Sequence, residues 1–103
     1  MKFVVTWTAR GSGSGAENEQ AVKRALEVYS KWSPPSGVTF HQFLTRVDAN
    51  GGFAVVETED PKLAAEGPAK FAPWFEFTVV PVIDVTEGVP ILNEAIQFRD
   101  AIT

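Results

Sequence analysis

The sequence predicts an α+β domain in the order β-α-β-β-α-β, with one extra helix at the C-terminus. Three observations carry this. Runs rich in Val, Phe, Thr and Ile alternate with stretches whose apolar residues recur at helical spacing. An Asn50-Gly51 pair joins two neighbouring strand-like runs, a hairpin signal because both turn positions favour positive φ. Capping residues and Pro or Gly breaks stand where helices must begin and end.

Residues 2–9 read as the first strand, since Val, Phe, Thr and Trp suit a pleated, half-buried surface. The glycine-serine run at 11–15 ends it. Ser14 with Glu17 has capping-box spacing and opens a helix. Val22, Ala25, Leu26 and Tyr29 form its apolar stripe, and Pro34-Pro35 stops it. Residues 38–48 and 53–59 are the hairpin strands. Asp60 caps the next helix, with Pro61 at its first position. That helix covers 62–72 and is expected to break or kink at Gly67-Pro68. Residues 75–85 form the fourth strand, which Pro81 directs to a sheet edge or a bulge. A third helix is expected from about Pro90, with Ile91, Leu92, Ala95, Ile96 and Ile102 as its stripe.

This order is that of the ferredoxin-like split β-α-β fold, with a four-stranded antiparallel sheet. Its strands carry apolar groups on both faces, while two helices shield only one. The other face needs a cover, and a second copy of the chain is the economical one. A homodimer through the sheet face is therefore expected. Residues 1–103 form one domain, with no internal repeat and no linker.

Composition narrows the chemistry. The chain has no cysteine, which removes disulfides, thiolate nucleophiles and Cys-ligated metal centres and suits the cytoplasm. Net charge is −4 and the nine basic residues are scattered, against the clustered basic surface that nucleic acid requires. The N-terminus does not resemble a signal peptide, and no apolar run approaches a membrane span.

Residues 3–8, 52–61 and 75–82 read FVVTWT, GFAVVETEDP and FEFTVVPV. They resemble the signature stretches of a small bacterial domain-of-unknown-function family, with patterns M-x-F-x-V, G-F-x-x-V-E-x-D-D-P and D-F-x-V-x-P-V. The resemblance covers most of the first 85 residues. It implies a ferredoxin-like fold of the dimeric α/β-barrel group and marks Glu57 as a motif position. It assigns no catalytic residue. The chain departs from the pattern at Gly67-Pro68, at Phe71 where Trp is usual, and in its longer C-terminal extension.

The glycine-serine run follows a strand and precedes a helix, as a dinucleotide fingerprint does. The hairpin after it breaks the parallel βαβ context that fingerprint needs. Residues 52–56 partly imitate an RNA-recognition strand, but Val55 and Thr58 stand where stacking aromatics belong. His41 is the only histidine, the side-chain type suited to moving protons near neutral pH; no carboxylate shows metal-ligand spacing with it. Glu57 interrupts an apolar strand, and desolvation in a closed cavity would make it an acid or base.

A two-residue Asn50-Gly51 turn sets Arg46 opposite Val55 and diagonal to Glu57. Gln42 and Leu44 then share that face, with His41 on the other. An Arg46–Glu57 ion pair and a catalytic Glu57 both follow from this register, which a longer turn would alter. Trp7, Trp32 and Trp74, with Phe71 and Phe75, supply aromatic surface for the core or for a pocket between sheets. The candidate pocket residues are thus Glu57, Arg46, Gln42, His41, Trp7 and Trp74.

Two functions compete. One is a homodimeric module that binds a small apolar ligand or a protein partner, with no cofactor. The other is an enzyme with its pocket inside the barrel. The resemblance implies cofactor-independent oxygenases or isomerases as its model, an argument from fold alone.

Overall fold

The computed structural model describes residues 1–11 and 13–102. The elements are β1 (Lys2–Ala9), α1 (Gly15–Lys31), β2 (Thr39–Thr45), β3 (Gly51–Glu57), α2 (Pro61–Phe71), β4 (Phe75–Val82) and α3 (Val85–Asp100). All pairings are antiparallel, in the order β2-β3-β1-β4. This is the ferredoxin-like sheet, with Pro81 on the edge strand β4, where its missing N–H costs no ladder bond on the solvent side.

The two central strands hold the core. Phe3 and Val5 of β1 lie opposite Val56 and Ala54 of β3, and all four are buried. Ala64 of α2 closes this cluster, with Trp7, Val38, Phe40 and Phe77 around it. Their partners in alternation, Val4 and Val55, face away from the helices. On that open face Phe53, Leu44 and Val80 are exposed.

Local signals explain the helix starts. The Ser14 hydroxyl accepts the Glu17 N–H at 3.1 Å, and the Asp60 carboxylate accepts the Lys62 N–H at 3.0 Å. Position 12 of the glycine-serine run lies outside the described residues. Thr58, the one polar side chain buried among the described residues, links β3 to α2. Its hydroxyl accepts the Asp60 N–H, and its own N–H donates to the Met1 carbonyl.

Three expectations need correction. α2 runs undivided through Gly67-Pro68. Proline forfeits one intrahelical bond there, while the missing Cβ of Gly67 admits the Trp32 ring, which an added Cβ would meet at 3.3 Å. α3 begins at Val85, not near Pro90, which lies inside it; Asp84 takes the capping position, and β4 ends at Val82.

The hairpin is the third correction. Thr45 pairs with Gly52, so the connection is longer than two residues. The Asp48 carboxylate accepts the Asn50 N–H at 3.0 Å and Ala49 takes φ 62°, building a wider turn that Arg46 N–H closes onto the Gly51 carbonyl. Register then shifts again between Phe40 and Gln42, where His41 is the extra residue of a β-bulge.

α3 stands apart. None of its residues is buried, and the chain spans 63 Å along its longest axis. The radius of gyration is 18.4 Å, against about 13 Å for a compact domain of this length.

Candidate functional site

Between α1 and the helix-side face of the sheet lies a cleft of about 570 Å³. Aromatic contacts hold the C-terminal end of α1 to the body. Near its C-terminus Tyr29 meets Phe43 and Phe71 with ring centroids 6.4 Å apart. Trp32 meets Phe71 edge-on at 5.7 Å and Phe40 at 6.3 Å. Ala25 is the one buried residue of α1, and Val22 and Leu26 line the cleft while remaining exposed.

The walls are aromatic. Phe75 contacts Phe77, Phe77 contacts Trp7, and Trp7 meets Phe43 edge-on at 5.6 Å. With Phe40, Trp32, Phe71 and Trp74 these rings form a continuous arc along the cavity. Trp7 lies over Gly52, where a Cβ would collide with the indole and with the Leu44 carbonyl. Glycine at 52 therefore sets the depth of this wall.

Arg10 is the cleft's one charged lining residue among the described residues. Its Nε donates to the carbonyls of Ala72 at 2.9 Å and Phe75 at 3.2 Å, fastening the end of α2 to β4.

The candidate residues divide between the two faces of the sheet. Trp7 and Trp74 line the cleft. His41 and Glu57 meet on the open face, with His41 Nε2 2.7 Å from Glu57 Oε1. That contact lowers the Glu57 pKa, with smaller help from the charges of His41, Lys2 and the N-terminus against a desolvation that raises it. Gln42 pairs with Val55 and shares the Glu57 face. Arg46 sits in the hairpin turn and pairs with Asp48, not Glu57. The Asp48 pKa is lowered, first by the Asn50 N–H and then by Arg46.

The bulge decides this partition. It turns His41 toward the face that simple alternation denied it. The longer turn carries Arg46 away from Glu57. The cavity also lies on the helix side of the sheet, not between two sheets. Sequence reasoning missed Tyr29, Phe43 and Phe77 as lining residues. The signal present was the alternation of Phe75 with Phe77 and the stripe position of Tyr29.

The domain-of-unknown-function model DUF3303 matches residues 1–96. The chain belongs to the DUF3303 family. No curated protein matches it. Among solved structures, SnoaB, a cofactor-independent oxygenase from Streptomyces nogalater, is similar at 20% identity. The alignment covers 82% of this chain and 93% of that one, with a TM-score of 0.36. The ferredoxin-like assignment of this DUF3303 domain rests on its own strand order. Among its described residues no group of three or more His, Cys, Asp or Glu is placed to hold a metal ion. No helix among them is long and apolar enough to cross a membrane.

Proposed function

We propose that this DUF3303 protein is a homodimeric cytoplasmic module that takes a small apolar molecule into the cleft between α1 and the sheet. The observation that carries the reading is the lining itself. A cavity of about 570 Å³ is walled by aromatic and aliphatic side chains, with the single charge of Arg10 at one end. Sites of this kind bind by removing apolar surface from water, and one polar group fixes orientation. Catalysis by a carboxylate or an imidazole in this cleft would need that group beside the ligand. Among the described residues the lining holds no carboxylate and no imidazole, and the His41–Glu57 pair is on the opposite face. Binding is therefore favoured over catalysis.

The dimer is supported by the open face, where Phe53, Leu44 and Val80 are exposed beside Val4 and Val55. The cysteine-free composition suits the cytoplasm.

Titration with naphthalene-2-carboxylate, followed by tryptophan fluorescence, tests the cleft. Trp7, Trp32 and Trp74 all line it, so saturable quenching at one ligand per chain is expected. Leu26→Glu, at an exposed lining position, is expected to weaken binding roughly tenfold or more, because the charge would be desolvated on ligand entry. Unchanged affinity in that variant, or greater thermal stabilisation by ATP than by naphthalene-2-carboxylate, overturns the reading.

A further inference from the structure

We infer that α3 is an exchange arm, which leaves its own subunit and packs against a second copy of this chain. The inference rests on the sheet-face dimer proposed above and adds a second, reciprocal contact to it.

The helix cannot be explained as a free-standing element. Its 16 residues include Gly88 and Pro90 together with the β-branched Val85, Thr86, Val89, Ile91 and Ile96. An isolated helix of this length is marginal even in alanine-rich sequences, and Gly, Pro and β-branched residues lower that further. Tertiary packing must hold it, yet nothing in its own chain buries any of its residues.

Its surface states what kind of seat it needs. Val85, Val89, Leu92 and Ile96 fall at heptad spacing on one stripe. Ile91, Ala95 and Phe98 form a second stripe beside it, and Ile102 follows just past the helix end. Thr86, Glu87, Asn93, Glu94 and Gln97 occupy the remaining side. Two adjacent apolar stripes suit a position between two walls, such as the margin of two stacked sheets. A single flat face would bury only one.

The helix is also directed away from its own body. Only Ile83 and Asp84 separate it from β4, and Asp84 is paired with Lys2 of β1 at 3.3 Å. With that short link and an extent of 63 Å, the helix leaves its stripes unburied by its own chain.

Area identifies a second copy as the occupant. Seven apolar side chains of the arm and its tail are exposed, Leu92 and Phe98 at 67% and 70%. At on the order of 100 Å² each they offer roughly 700 Å² per arm, and a two-fold exchange doubles this into the range of stable protein interfaces. The chain already presents an uncovered sheet face, so one symmetric partner shields both surfaces.

Two measurements on the full-length protein test the arm. In sedimentation equilibrium the unsubstituted chain is expected to be dimeric. The pair Leu92→Glu and Phe98→Glu is expected to weaken dimerisation roughly 30-fold or more, with far-ultraviolet circular dichroism of the domain retained because both side chains are exposed in the single chain. Equal dimerisation in the variant overturns the arm while leaving the sheet-face dimer standing. A monomeric unsubstituted chain overturns both. In the second measurement Phe98 is replaced by p-benzoyl-phenylalanine, and unlabelled and nitrogen-15-labelled chains are co-refolded and irradiated. Crosslinked peptides of mixed isotope are expected; peptides of matched isotope only mean that α3 folds back on its own chain, and they overturn the inference.

Discussion

His41 and Glu57 lie side by side on adjacent strands, 2.7 Å apart, because a one-residue bulge turns the imidazole onto the face that carries the carboxylate. The pair is half-exposed, with side chains 43% and 47% accessible. Its meaning is electrostatic more than energetic, since exposed ion pairs contribute little to stability.

The pair sets a pH signature. The hydrogen bond from His41 is the leading reason that Glu57 titrates below the usual glutamate value. A carboxylate whose folded-state pKa is depressed stabilises the fold above its unfolded pKa. That contribution is lost as pH falls through the lowered folded value. Carbon-13 NMR of the Glu57 carboxyl is expected to show the depressed titration, and His41→Ala is expected to move it up toward the ordinary value. An unchanged Glu57 titration in His41→Ala contradicts the pairing.

Gly52 is expected to tolerate no side chain. A Cβ there collides with the Trp7 indole and with the Leu44 carbonyl, so the ring or the backbone must shift. Gly52→Ala should lower unfolding free energy by about 2–3 kcal/mol, in the range of overpacked cores. Urea denaturation measures it, and the Trp7 displacement should also narrow the cleft and reduce quenching by naphthalene-2-carboxylate.

Trp32 Nε1 donates to Glu66 Oε2 at 3.1 Å, and Lys70 pairs with Glu66 from the next turn of α2. Burial pushes the Glu66 pKa up, but the Lys70 and Trp32 hydrogen bonds outweigh it and the net shift is down. These bonds tie the end of α1 to α2. Glu66→Ala should cost about 1 kcal/mol. It should also loosen the C-terminal end of α1, which hydrogen exchange of α1 amides would report as faster opening.

Much of the architecture was legible because it depends on near neighbours in sequence. Ser14 and Asp60 cap the helices they precede, β1 matches its expected bounds, and Pro81 falls on an edge strand. The misread elements are those where two local signals competed. At the hairpin the Asn50-Gly51 signal lost to the Asp48 side chain, which hydrogen-bonds two residues ahead and widens the turn. At α3 the breaking tendency of Pro90 lost to five helical residues already laid down before it.

By itself the sequence determined the fold class, the element order and the oily character of both sheet faces, because periodicity and capping act over a few residues. Tertiary structure alone decided which side chains meet. His41 reached Glu57 through a bulge, Arg46 was drawn to Asp48, and the aromatic cleft formed on the helix side, between α1 and the sheet. The physical reason is that strand register has a period of two. One inserted residue moves a side chain to the opposite face, and nothing in local composition marks where that insertion falls.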